Sequence, residues 1–348
     1  MSTAETPTDP APANAPARTP GHGPGHGPSG HGSLGDILVT TPSFGQTSRA
    51  PWEVFETAGA PARRSAFAHP LGEAQLIDEI RDMAALVVGL DPVTAGVLDA
   101  APRLRVVAKH GVGTDNIDLD AARERGVRVV NAPGTNTGAV ADLTFALLLA
   151  AARKIVPAHA TVTGGRWDRF FGPELGGRTL GVIGFGRIGQ AVARRAKGFD
   201  MGVVAYDPHL PAEVFATAGV RSVPFGELLA ASDVVTLHMP LTSEQPLLGR
   251  RELTALRPGA LVLNTARGGL VDEEALADLL HSGHLGGAGI DVFSSEPPVG
   301  NRLLDAPGVV LTPHCAAFSD QANQAMGTTV AADVVRVLRG EEPVNAVV

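Results

Sequence analysis

The stretch that most restricts how this chain folds is "TLGVIGFGRIGQAVARRAKGF", residues 179–199. An apolar, β-branched run leads into Gly184-x-Gly186-x-x-Gly189, and a helix-like segment follows at once. Strand, glycine turn and helix in that order make a dinucleotide-binding fingerprint. Gly184 permits the tight turn, Gly186 lets the backbone approach a pyrophosphate, and Gly189 lets helix and strand pack closely. The start of the helix offers free N–H groups to phosphates. The next strand-like run, "GVVAYDP", ends at Asp207. A carboxylate at that point hydrogen-bonds the adenosine ribose and repels a 2′-phosphate, so the expected cofactor is NAD rather than NADP.

Around this motif, short β-branched runs alternate with helix-like segments. Before it come "DILVTTP", "ALVVGL", "RVVAKHG" and "VRVVNAPG", separated by "EAQLIDEIRDM", "TAGVLDAAP" and "LDAARERG". After it come "DVVTLHMP", "ALVLNTARG", "GGAGIDVF" and "GVVLTPH". Such alternation predicts parallel sheets covered by helices. Between the two series lies "AVADLTFALLLAAARKIV", apolar on nearly every face and therefore expected to be buried between units or at a subunit interface. The expected class is α/β, with two Rossmann-like or flavodoxin-like parallel-sheet domains and a cleft between them.

Composition narrows the partners. A net charge of −8 lacks the concentrated positive field that nucleic acid or an anionic membrane requires. The longest apolar run, residues 145–152, is far short of the ~20 residues a spanning helix needs. The single cysteine, Cys315, cannot form an internal disulfide, which with the absence of a signal-like start predicts a soluble, cytoplasmic protein. Residues 1–33, rich in Pro, Ala, Gly, Ser and Thr, have too few large apolar side chains to offset the entropy of ordering and are expected to form a disordered tail. His22, His26 and His31 within it have no rigid frame to hold a metal, and no metal site is expected.

Polar residues stand where the apolar runs stop. Arg267 follows "ALVLNTA", Asp291 and Glu296 follow "GGAGI", and His314 follows "GVVLTP". In doubly wound sheets ligands bind outside the carboxyl ends of the strands, so these positions converge on one crevice. Reducing a 2-oxo acid requires its carboxylate held, a hydride at C2 and a proton on the oxygen. A guanidinium binds a carboxylate with two hydrogen bonds and keeps its charge, which suits Arg267. An imidazole suits His314 to proton transfer, and Glu296 would orient the ring. Hydride chemistry needs no thiolate, so Cys315 is expected to pack. Arg187 and Ile188 inside the fingerprint, and Thr265 and Ala266 just before Arg267, complete the expected cofactor set.

These motifs, with "KHGVGTDNIDLDAARERGVRVVNAPG", "NTARGGLVDEEAL", "AGIDVFSSEPP" and "TPHCAAF", resemble the D-isomer-specific 2-hydroxyacid dehydrogenases over about 36–348, and within them short phosphoglycerate-dehydrogenase-like members. The resemblance places the family's catalytic arginine, glutamate and histidine on Arg267, Glu296 and His314. It implies that Val112 and Gly113 offer backbone N–H groups to the substrate carboxylate. Asp291 would meet the nicotinamide carboxamide, and Met239 and Pro240 the adenosine. It also implies a chain that returns: a substrate domain of 34–131 with 318–348, an NAD-binding domain of 132–317, and a homodimer supported by the long apolar helix. Lys109 is a candidate for a distal anionic group on the substrate. Cys315, Ala316 and Ala317 depart from the Ile or Leu and then Gly that often follow the histidine, and resemble NADH-responsive corepressors of the same family. Asp142 stands where Glu is more usual.

The expected activity is therefore NAD-dependent hydride transfer to or from C2 of a small 2-oxo or 2-hydroxy acid, such as 3-phosphoglycerate, glyoxylate or hydroxypyruvate. The alternatives are an NADH-sensing binding protein without turnover, a phosphite dehydrogenase-like enzyme, and an enzyme for a bulky natural-product acid. Formate oxidation is disfavoured, because that branch lacks a glutamate partner for the histidine.

Overall fold

The structure, a computed structural model, describes residues 34–348. The tail expected over 1–33, with its three histidines, lies outside the described residues. Two all-parallel sheets organise the rest. The first holds β1 (Ile37–Val39), β2 (Ala62–Arg64), β3 (Ala85–Val88), β4 (Val106–Lys109) and β5 (Arg128–Val130), in the order 2-1-3-4-5. The second holds β6 (Thr179–Ile183), β7 (Gly202–Tyr206), β8 (Arg221–Ser222), β9 (Val234–Leu237), β10 (Leu261–Asn264), β11 (Gly287–Ile290) and β12 (Val309–Leu311), in the order 12-11-10-9-6-7-8. These are the flavodoxin-like and the Rossmann doubly wound orders. The central strands β3, β4, β9 and β10 are buried throughout, as parallel strands covered on both faces must be.

Two edge strands carry no signal in the sequence. β2 reads "ARR" and β8 reads "RS". Neither has a hydrophobic alternation, and each takes its place only by pairing with one neighbour. By contrast, the glycine-rich β11 has a packing cause. A Cβ on Gly289 would stand 2.7 Å from the Cβ of Leu147, on the apolar helix Thr137–Ala152 that crosses the second sheet. The bare strand lets that helix sit close. The same helix also packs on helix Arg187–Lys197, so it belongs with the second sheet.

The chain does return to its start. Helix Asp320–Leu338 lies across β3, β4 and β5 and against helix Ala50–Ala58, where Met326, Val330, Val334 and Leu338 share a core with Val39, Phe55, Val87 and Val106. Gly327 is the closest approach, its missing Cβ occupied by the Pro51 ring. Val130 then forms an antiparallel bridge with Ala346, and Val347 donates its N–H to the Val129 carbonyl at 2.7 Å. Among the described residues no helix is long and apolar enough to cross a membrane.

Candidate active site

The glycine turn is built as its spacing requires. Gly184 has φ +85°, and a Cβ there would strike the carbonyl of His238. A Cβ on Gly189 would strike the Gly184 carbonyl and approach Val182 to 3.1 Å. Over Gly186 there is open space, with nothing within 4 Å of a built Cβ. Gly186 is also the cap of helix Arg187–Lys197, and no side chain bonds the first N–H groups of that helix. The arrangement is a shallow cradle of uncommitted N–H donors, with Arg187 and Ile188 in its first turn.

Asp207 lies one residue beyond β7. It accepts from the N–H of Phe185 at 2.9 Å and of His209 at 3.0 Å, so it holds the cradle loop while staying partly exposed. Beside it Tyr206 packs on Phe225, which lines a cavity of about 330 Å³ with Met239, Leu241, Leu247 and Leu270. Pro240 is exposed between Met239 and Leu241. A carboxylate, an apolar cavity and a phosphate cradle in this succession fit a dinucleotide.

Beyond β10, Thr265 is buried and bonded to Thr144 at 2.9 Å. The Asn264 side chain ties the turn, donating to the Arg267 carbonyl at 2.8 Å and accepting from the Ala266 N–H at 3.1 Å. Arg267 then leaves the second sheet and reaches the loop that follows β4. Its Nε donates to Asp115 at 2.9 Å, and its Nη1 to the Ala266 carbonyl at 2.7 Å. Its Nη2 lies where a Gly113 Cβ would be, so the guanidinium rests on the Val112–Gly113 backbone. Asp115 had no assigned role in the sequence; its link to Arg267 spans 152 positions and leaves no local trace.

Gly268 packs on the Phe293–Ser294 backbone, which sets the Arg267 turn against the loop carrying Glu296. Glu296 accepts from the Phe293 N–H at 3.1 Å through Oε1 and faces Nδ1 of His314 at 2.8 Å through Oε2. Burial raises the Glu296 pKa, but the adjacent His314 ring, the Phe293 N–H and the Arg267 charge outweigh it and hold the carboxyl below its usual range. His314 has φ +51°, a left-handed conformation that costs an L residue ~1–2 kcal/mol. Asp291 sustains it. The Asp291 carboxylate, fully buried, accepts from Thr312 Oγ1 at 2.6 Å and from the N–H groups of Cys315 and Ala316 at 2.9 Å each. Nε2 of His314 has no protein partner among the described residues, and the side chain is 37% exposed.

Lys109 points inward. Its ammonium bonds the Gly89 carbonyl, and Asn116 Oδ1 at 2.7 Å, and the residue is 7% exposed. Burial, with the Arg267 charge next, pushes it down to about 8. Burial and the neighbouring Asp291 push the Cys315 thiol up, the opposite of what a nucleophile needs. Among the described residues no group of three or more His, Cys, Asp or Glu could hold a metal ion.

A model of the D-isomer specific 2-hydroxyacid dehydrogenase NAD-binding domain matches residues 145–316, which run from within the long apolar helix through all of β6–β12. The chain is 44% identical over 316 residues to a D-3-phosphoglycerate dehydrogenase of Methanocaldococcus jannaschii, covering 89% of this chain and 59% of that protein. It is 42% identical over 283 residues to a glyoxylate reductase of Thermococcus litoralis, covering 78% and 86%. The chain belongs to the D-isomer-specific 2-hydroxyacid dehydrogenase family. The two-sheet architecture is the family's own: the crystal structure of the TT0316 protein from Thermus thermophilus, 40% identical, superposes over 90% of this chain and 100% of that one with a TM-score of 0.80. The dehydrogenase family's NAD-binding domain is therefore the seven-stranded half, and its cofactor is a nicotinamide dinucleotide. The chain spans about three fifths of the length of the phosphoglycerate dehydrogenase it matches.

Proposed function

We propose that this protein is an NAD-dependent oxidoreductase that moves a hydride between nicotinamide and C2 of a small D-2-hydroxy or 2-oxo acid. The observation that carries the reading is the pair His314–Glu296 at 2.8 Å, set at the carboxyl end of the second sheet with Arg267 reaching across to Gly113. When bound, the nicotinamide supplies or accepts the hydride. Everything else falls to side chains of this chain.

Arg267 keeps Nη2 uncommitted beside the Val112 and Gly113 backbone, so carboxylate oxygens placed there meet a fixed charge. Asp115 and the Ala266 carbonyl hold the guanidinium in place before substrate arrives. In reduction His314 gives its Nε2 proton to the carbonyl oxygen, and in oxidation it takes that proton from the hydroxyl. Glu296, ionised, fixes Nδ1–H toward itself and leaves Nε2 directed outward. The balance is one 2-oxo acid, one NADH and one proton against one 2-hydroxy acid and one NAD⁺. Asp207 supports NAD over NADP, since a 2′-phosphate would approach its carboxylate.

In this reading residues 34–131 with 318–348 bind the substrate and 132–317 bind the cofactor, with Asp291 turned to the carboxamide side through the loop it holds. A second copy covers the exposed apolar side chains of helix Ile155–Thr163 and of Trp167 and Phe171, giving a homodimer. One unpaired cysteine suits the reducing cytoplasm.

The test is NADH oxidation followed by absorbance against a panel of 2-oxo acids, with His314→Gln alongside. Turnover of at least one acid is expected, falling ~10²–10⁴-fold in the variant with NADH binding retained. Tight NADH binding with no turnover of any acid would overturn the assignment in favour of an NADH-responsive binding protein.

A further inference from the structure

A second acid–base pair sits at the carboxyl end of the first sheet, on the side from which Val112 and Gly113 meet Arg267. Asp91, just past β3, is 0% exposed. Its carboxylate accepts from the Leu71 N–H at 2.7 Å and from the Thr40 hydroxyl, and Nδ1 of His69 lies 3.1 Å away as an ion contact. Burial raises the Asp91 pKa, but His69, Thr40 and the Leu71 N–H outweigh it, so the carboxylate stays ionised. A buried anion needs a counter-charge, and His69 is the basic group placed against it. The other ring nitrogen, Nε2, has no protein partner among the described residues, and the side chain keeps 17% exposure.

What surrounds this ring is polar and close. A Cβ on Gly89 would stand 2.8 Å from Thr41 Oγ1 and 3.0 Å from His69 Cε1, so only glycine leaves that space open. From the other side of the same residue, Lys109 bonds the Gly89 carbonyl and keeps one of its three N–H donors uncommitted. Arg64, by contrast, is fully occupied: it donates to the carbonyls of Thr41, Pro42 and Phe44 and shapes the loop that carries Thr41. The first sheet thus presents two cationic groups and a hydroxyl around one glycine, on strand ends neighbouring the loop that meets the substrate carboxylate.

We propose that His69, backed by buried Asp91, forms with Lys109 and Thr41 a subsite for a second anionic group, making the preferred substrates 2-oxo and 2-hydroxy acids with a distal carboxylate or phosphate. This rests on the dehydrogenase reading for the position of the reacting carbon. His69 is the specificity residue of the subsite, and Lys109 holds its floor.

The experiment compares kcat/KM for pyruvate and glyoxylate, for oxaloacetate and 2-oxoglutarate, for 3-phosphohydroxypyruvate and for the apolar 4-methyl-2-oxopentanoate, in wild type, His69→Gln and His69→Lys. The amide of glutamine keeps a donor for Asp91 but no charge, and lysine keeps the charge. A dianionic acid is expected to lead in wild type, and whichever dianion leads names the group as carboxylate or phosphate. Its preference over pyruvate should fall ~10–100-fold in His69→Gln, through KM rather than kcat, and return in His69→Lys. An unchanged preference in a folded His69→Gln protein, or a lead for the apolar acid in wild type, overturns the proposal. If no acid is turned over, the dehydrogenase reading fails and the subsite is judged by melting temperature of the NADH-saturated protein. Protection by a dianion that His69→Gln abolishes supports it, and protection by none overturns it.

Discussion

His314 is held in a conformation that its own side chain disfavours, and three donors on one buried carboxylate keep it there. The group that would move a proton is therefore oriented twice, by Asp291 through the backbone and by Glu296 through the ring. Glu296 makes this testable in stability. Its pKa in the folded protein lies below the ordinary 4.5, so the unfolded chain takes the proton first as pH falls. The stabilisation from the ionised carboxylate is complete above pH 4.5 and is lost as pH drops through the lower folded value. Glu296→Gln is thus expected to lower the melting temperature near neutral pH, and the gap from wild type should close at pH below 4.5. A gap that does not vary with pH would show that the charge of Glu296 is not what stabilises. At this scale the sequence was readable where a residue stood at the end of an apolar run, as Arg267, Glu296 and His314 do. Asp115 and the His69–Asp91 pair were not readable, since each acquires its partner only when distant loops meet.

The glycine turn and its helix act as one rigid piece. Gly189 and Gly184 touch backbone to backbone, and neither side of that contact is a flexible side chain that could yield. Gly189→Ala is expected to push helix Arg187–Lys197 away from β6 and weaken NADH binding by about 1–3 kcal/mol, the usual cost of overpacking a close contact. Calorimetric titration with NADH checks this, and an unchanged Kd would mean that the helix start does not hold the phosphates. The elements legible in the sequence were those with continuous apolar runs, because burial on both faces writes itself into composition. β2 and β8 escaped because an edge strand of two or three residues has almost no face to bury. The antiparallel pairing of residues 346–348 with β5 escaped for the same reason.

Across the whole molecule the largest exposed apolar side chains gather on one stretch of chain: Trp167 is 77% exposed and Phe171 92%, close in sequence to Ile155, Val156 and Val162. Monomers seldom leave such side chains together in water. The protein is expected to sediment as a dimer, and Trp167→Asp with Phe171→Asp to shift it to the monomer with the fold retained. Sedimentation of both forms decides this, and a wild-type monomer at micromolar concentration would refute it. Helix Asp320–Leu338 has an effect of another kind. A ribosome delivers β1–β5 first, yet the side chains that cover Val39, Val87 and Val106 arrive only with residues 326–338, after the entire seven-stranded sheet. The segment synthesised first is the segment completed last. Throughout translation the nascent chain carries an open apolar face that only its own late-made helix can close.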